Sequence, residues 1–127
     1  MASLTHLDTH VLVWLFASGR DLLGRAARAR VEQDTLAMSP MAVLELTYLH
    51  ELGRINYDAQ EIVANLSEEL GVAVDDTPFA QVVERAQGCN WTRDPFDRVI
   101  VGQALAAGAH LITRDSAIRD NVDSAVW

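Results

Sequence analysis

The chain contains no lysine; all ten of its cations are arginines. That excludes Schiff-base chemistry and any phosphate loop that closes on a lysine. Cysteine occurs once, at Cys89. One thiol cannot form an intrachain disulfide or a multi-cysteine zinc site, and a reducing, cytoplasmic setting is the default expectation. No apolar run approaches the roughly 18 residues that a membrane-spanning helix needs. The longest near the N-terminus, VLVWLFA, has seven residues and follows a histidine and an aspartate rather than the basic flank of a secretion signal. Glycine-rich phosphate loops, internal repeats and low-complexity linkers are also missing.

What is present is an ordinary globular composition. Half of the 127 residues are hydrophobic, enough for one core in one domain, read as residues 1–127. The formal net charge is −8, which opposes general nucleic-acid binding, because phosphate contacts supply most of that affinity. Arginine is nonetheless the better fork for phosphate, so the position of the arginines decides.

Short apolar stretches alternate with helical patterns. SLTHLD reads as a strand, and THVLVWLFA as the helix after it. A helix is expected over 22–33, with Arg25 and Arg28 on one face, and a strand over 35–38. Residues 39–54 read as a helix with Ser39 as N-cap, Pro40 at its first position and Gly53 near its end. Residues 58–71 form a further capped helix, 72–74 a short strand, and 76–88 a helix with Pro78 early. Residues 94–108 give the clearest helix, apolar nearly all round and therefore expected to be buried. A strand over 109–113, a turn or short helix in RDSAIRD, and an edge strand in SAVW complete the pattern. Strand–helix alternation predicts an α/β fold, a three-layer α/β/α sandwich around a mainly parallel sheet.

Ligand sites in open parallel sheets lie beyond the carboxyl ends of the strands. Four acids fall at or near that rim. Asp8 ends the first strand, Glu45 lies about one and a half turns into the helix after the second, Asp97 lies in the first turn of the helix over 94–108, and Asp115 follows the strand over 109–113. Each has an ordinary explanation taken singly: Asp8 as a helix cap, Glu45 on a solvated face, Asp97 as compensation for the helix dipole, Asp115 as a turn residue. Asp94, followed by Pro95, is fully accounted for as an N-cap that accepts the amide of Phe96 or Asp97. Four acids converging from four elements are harder to explain away, since close like charges need a cation. Carboxylates alone suit a hard cation, Mg2+ or Mn2+, and such an ion suits phosphodiester hydrolysis.

Arg93, Arg98, Arg114 and Arg119 flank the acids. The first three are candidate phosphate contacts; the alternative is local pairing of these arginines with Asp94, Asp97, Asp115 and Asp120. His6 and His10 flank Asp8, yet no third nitrogen or sulfur ligand supports zinc. Trp14, Leu15 and Phe16 read as core or partner-groove residues. Met38 and Met41 are packing residues, and Cys89 is expected to be inert. LDTH has a faint likeness to a phosphotransfer aspartate, but such sites need a lysine.

The segments LDTHVLVWLF, SPMAVLEL, RDPFDRVIVGQAL and LITRD, in that order, resemble the PIN-domain ribonucleases, and among them the VapC toxins of bacterial toxin–antitoxin pairs. The resemblance covers essentially the whole chain. It implies a Mg2+- or Mn2+-dependent endoribonuclease with Asp8, Glu45, Asp97 and Asp115 as catalytic metal ligands. Many members begin the helix D-x-x-I-A, which aligns with Asp97 to Val101 and makes Asp94 the cap or a supporting group behind the ligands. Thr113 matches a small hydroxyl residue often found before the last acid, where it would orient a carboxylate or water. The resemblance further implies structured RNA as substrate, a cognate VapB-like antitoxin as partner, and a homodimer. The alternative within the same fold is a catalytically silent module that only binds a partner.

Overall fold

The computed structural model describes residues 2–127. Strand β1 (Leu4–Leu7) leads into α1 (Thr9–Ser18) and α2 (Arg25–Gln33). Strand β2 (Thr35–Met38) leads into α3 (Pro40–Glu51) and α4 (Ala59–Leu70). Strand β3 (Ala73–Val74) leads into α5 (Phe79–Gln87) and α6 (Pro95–Ala106). Strand β4 (His110–Ile112) is followed by α7 (Ser116–Asn121) and β5 (Ala125–Val126). The strands form one sheet in the order β3-β2-β1-β4-β5, and every pairing is parallel.

The middle strand shows why. Thr5, His6 and Leu7 of β1 are all buried, with no inside–outside alternation, as expected of a parallel strand covered on both faces. From β1 the chain builds outward to β3, then resumes on the other side of β1 with β4. Right-handed crossovers therefore place α1–α4 on one face and α5–α7 on the other. In agreement, α1, α3 and α4 pack on one another and α5 packs along α6, while α3 and α6 also meet each other. At the β1–β4 boundary the strand order reverses, and the carboxyl ends of those two strands are where a ligand fits. No helix among the described residues is long and apolar enough to cross a membrane.

Local chemistry sets the helix ends. Ser39 caps α3 by accepting from the Met41 amide, and Asp58 caps α4 by accepting from the Glu61 amide. Gly71 closes α4 with φ 66°, a conformation that favours glycine. Three expectations need correction. The helix expected over 22–33 starts at Arg25, with Gly24 as its cap; a Cβ on Gly24 would lie 2.6 Å from the main-chain carbonyl carbon of Trp127. The helix expected over 76–88 starts at Phe79, because the Asp75 side chain turns the chain by accepting from the Thr77 amide, and Pro78 takes the cap position. Helix α6 is buried only along Ile100–Ala104, while Phe96 and Val99 are partly exposed.

Candidate active site

Where β1 ends, the Asp8 amide donates to the Ile112 carbonyl at 3.1 Å, so Asp8 leaves the sheet beside β4. One carboxylate oxygen caps α1 by accepting from the Thr9 amide at 2.8 Å. The other accepts from the Thr113 hydroxyl at 2.7 Å. Asp8 is 8% exposed. Burial pushes its pKa up, and the bonds from Thr113 and Thr9 offset only part of that rise. Thr113 is fully buried, and its hydroxyl also accepts from the Asp115 amide at 3.1 Å. One residue therefore holds both the acid after β1 and the acid after β4. Asp115 is the N-cap of α7, accepting from the Ile118 amide.

Two further elements complete the cluster. Glu45, half-buried on α3, accepts from the Thr9 hydroxyl. Burial raises its pKa, and the Thr9 bond works against that rise. Asp94 caps α6, accepting from the Phe96 amide at 2.8 Å and the Asp97 amide at 3.3 Å. Asp97 lies in the first turn of α6. Its carboxyl is pushed up to about 7, first by burial and then by the charges of Asp94, Asp8, Asp115 and Glu45.

These five acids line one cleft of about 400 Å³, together with His10, Val11, Trp14 and Arg114. A larger groove of about 680 Å³ between α3 and α4 is lined mainly by Val43, Val63, Ala64 and other small or apolar groups, with no comparable convergence of acids. Among the described residues no three His, Cys, Asp or Glu groups are arranged to hold a metal ion as they stand. Unneutralised carboxylates repel, and a cation would have to draw these inward. The donor set fits a hard divalent cation: it is all oxygen, with no thiolate.

The arginines are divided. Arg114 lines the cleft, with its guanidinium carbon 5.9 Å from the centroid of the Trp14 ring. Arg93 is committed to the carbonyls of Asn90 and Thr92. Arg98 turns away to cap the end of α5, donating to the carbonyls of Ala86 at 3.2 Å and Gln87 at 3.0 Å. Of the three expected phosphate contacts, the structure brings only Arg114 to the acids. The alternative of local pairing is not realised either. The ion pairs of the described residues are His6–Asp75, Arg28–Asp21 and Arg30–Asp34, and Arg119 donates instead to the Arg114 carbonyl.

Sequence reasoning missed His10 and Trp14 as cleft residues and Thr9 as the donor to Glu45. The available signal was their position: Thr9 adjoins the cap, and His10 and Trp14 share a helical face four residues apart. It also missed a buried polar brace. His6 Nε2 lies 3.3 Å from Asp75, Gln103 donates to Asp75 at 2.8 Å, and Ser39 donates to Gln103 at 3.0 Å. Burial lowers the His6 pKa against the pull of Asp75. Burial also pushes Asp75 up, but the bonds from Thr77 and Gln103 more than offset it, leaving Asp75 below its usual value. The polar contact of His6 is thus with Asp75 and not with Asp8.

The PIN domain family matches residues 6–123. The chain is 30% identical over 117 residues to Ribonuclease VapC22 of Mycobacterium tuberculosis, covering 91% of this chain and 89% of that protein. Its fold is similar to a chain of a toxin–antitoxin complex from Klebsiella pneumoniae, with a TM-score of 0.67 at 19% identity over 97% of this chain and 96% of that one. It is equally similar to a chain of VapBC2 from Rickettsia felis bound to a promoter DNA fragment, with a TM-score of 0.67 at 16% identity and the same coverage.

Proposed function

The chain belongs to the PIN domain family, and we propose that it is a metal-dependent endoribonuclease toxin whose acidic cleft hydrolyses RNA phosphodiester bonds and which a cognate VapB-like antitoxin neutralises. The convergence of Asp8, Glu45, Asp97 and Asp115 from four elements on one cleft carries this reading. The relative named a ribonuclease supports RNA as the substrate class. The antitoxin is proposed from the family and from the fold shared with chains of toxin–antitoxin complexes. A second copy would cover the apolar stripe that Leu44 and Tyr48 expose on α3 and Leu52 at its C-cap, and a homodimer is part of the proposal.

Asp8, Glu45, Asp97 and Asp115 would hold Mg2+ or Mn2+. When bound, that ion supplies charge stabilisation at the phosphoryl oxygen and lowers the pKa of water. The protein's part is positional. Thr113 and Thr9 donate to Asp8 and Glu45, fixing which oxygens face the cleft and favouring the charged carboxylates. Asp94 shapes the first turn of α6 and presents Asp97. Asp97 carries a carboxyl proton that it gives up near neutrality, so its own charge becomes available to a cation as the pH passes about 7. Arg114 supplies the cation nearest the substrate's phosphates.

The test is cleavage of mixed RNA by the purified protein in Mn2+, in Mg2+ and in EDTA. Cleavage is expected with either ion, none in EDTA, and none from Asp97→Asn in any of the three. Cleavage that persists in EDTA would overturn the mechanism.

A further inference from the structure

We propose that Trp14 is a positioning residue for Arg114: its indole holds the guanidinium at the mouth of the acidic cleft, off the carboxylates and available to an RNA phosphate. This rests on the ribonuclease reading and extends it to a residue with no place in the ligand set.

The observation is an arginine that does not do what its surroundings invite. Arg114 shares one cleft with Asp8, Glu45, Asp94, Asp97 and Asp115. A flexible guanidinium there should pair with a carboxylate, yet Arg114 enters none of the ion pairs of the described residues. It lies over the Trp14 ring instead, 5.9 Å from the centroid, within cation–π reach of the aromatic side chain that attracts cations best. Trp14 is itself fixed. Trp127 packs edge-on against it at 5.7 Å with the rings at 70°, and Trp14 is partly buried against the core. Trp127 in turn sits where only a glycine fits at position 24. The Arg114 carbonyl accepts from Arg119, which restrains the loop behind the side chain.

A cation–π contact holds the guanidinium through its charge and leaves N–H donors free for a phosphate. Pairing with a carboxylate does the reverse: it consumes those donors and also neutralises an oxygen that a metal ion needs. Trp14 therefore protects two functions at once. The effect matters more in this chain than in most, because a net charge of −8 offers no general attraction for RNA and one well-placed cation carries a large share.

Two measurements test it: binding of a mixed-sequence single-stranded RNA of about 12 nucleotides in EDTA, where no cleavage occurs, and Mn2+ titration of the RNA-free protein. Arg114→Ala should weaken RNA binding about tenfold and reduce the slope of log affinity against log salt by about 0.7. Trp14→Leu should reproduce both losses and also weaken Mn2+ severalfold, because the released guanidinium falls onto the carboxylates. The double variant should recover wild-type Mn2+ binding without recovering RNA binding, and Trp14→Phe should retain both. Wild-type RNA affinity in Trp14→Leu, or a Mn2+ defect that persists in the double variant, overturns the proposal. Where Trp14→Leu does not fold, Arg114→Lys carries the test. Its compact, strongly hydrated ammonium is held less well by an indole than a guanidinium is, so Mn2+ should weaken in this variant but not in Arg114→Ala; unchanged Mn2+ binding overturns the proposal. Failure of the ribonuclease reading is visible separately, as a wild-type protein that cleaves no RNA in Mn2+ or Mg2+.

Discussion

Asp94 and Asp97 sit three residues apart at the start of one helix and differ in kind. Asp94 spends one oxygen on two main-chain amides, whereas Asp97 faces four other carboxylates. Stability should report the difference. The Asp97 carboxyl keeps its proton in the folded state up to about 7, against an ordinary value of 3.8. Between those values Asp97 is more protonated in the folded than in the unfolded state, so its contribution to metal-free stability is full below about pH 4 and is lost as the pH rises through 7. Asp97→Asn removes the burden. Melted in EDTA, the variant should exceed the wild type by a few degrees in Tm at pH 8 and match it near pH 4; a constant offset across that range would count against the assignment. Thr113 acts through Asp8. Thr113→Val deletes a 2.7 Å bond to that carboxylate and raises the Asp8 pKa further. Mn2+ affinity, measured by calorimetry, should fall about ten- to a hundredfold, while Thr113→Ser retains the bond and most of the affinity.

At the scale of the element, the ends of α1, α3, α4 and α6 were legible because capping is local: an Asp or Ser followed by its own amides, a proline at the first turn, a glycine beyond the last. Contacts between distant segments were not. The Thr9 bond to Glu45 and the Ser39–Gln103–Asp75–His6 chain join residues dozens apart, and no pattern within one helix or strand announces them. Arg98 misled for the same reason. Beside Asp97 in sequence it looked like a phosphate contact, but one position along a helix turns a side chain about 100°, here onto α5. That packing makes Gly102 decisive. A Cβ there would lie 2.8 Å from the Val82 carbonyl oxygen and 2.9 Å from both the amide nitrogen and the Cβ of Ala86, so two helices would have to separate. Gly102→Ala should therefore destabilise by about 1–3 kcal/mol, read from urea unfolding, despite its higher helix propensity. A variant as stable as the wild type would mean that α5 gives way freely.

For the whole molecule, the strands could be found in the sequence but not their order, and the order makes the site. Only when β4 lies beside β1 do Asp8 and Asp115 become neighbours, and only when α3 packs on α6 do Glu45 and Asp97 close the cleft from the other side. The carboxylates are then a strain on an already acidic chain that a cation would relieve. A ligand held only by the folded state stabilises it by about 2.7 kcal/mol at a hundred times its dissociation constant, which is several degrees in Tm for a domain of this size. Binding also requires Asp97 to surrender its proton. The Mn2+-induced rise in Tm should accordingly be small at pH 6 and large at pH 8, because the group crosses from proton to metal near 7. The metal-free protein should move the other way over the same interval, losing stability as Asp97 ionises among like charges. The two curves diverge with pH, and Asp97→Asn should flatten both, which separates this origin from a general effect of pH on the fold. Equal Mn2+ shifts at pH 6 and pH 8 in the wild type would mean that the ion binds without calling on Asp97, and the ligand set would have to be redrawn around Asp8, Glu45 and Asp115.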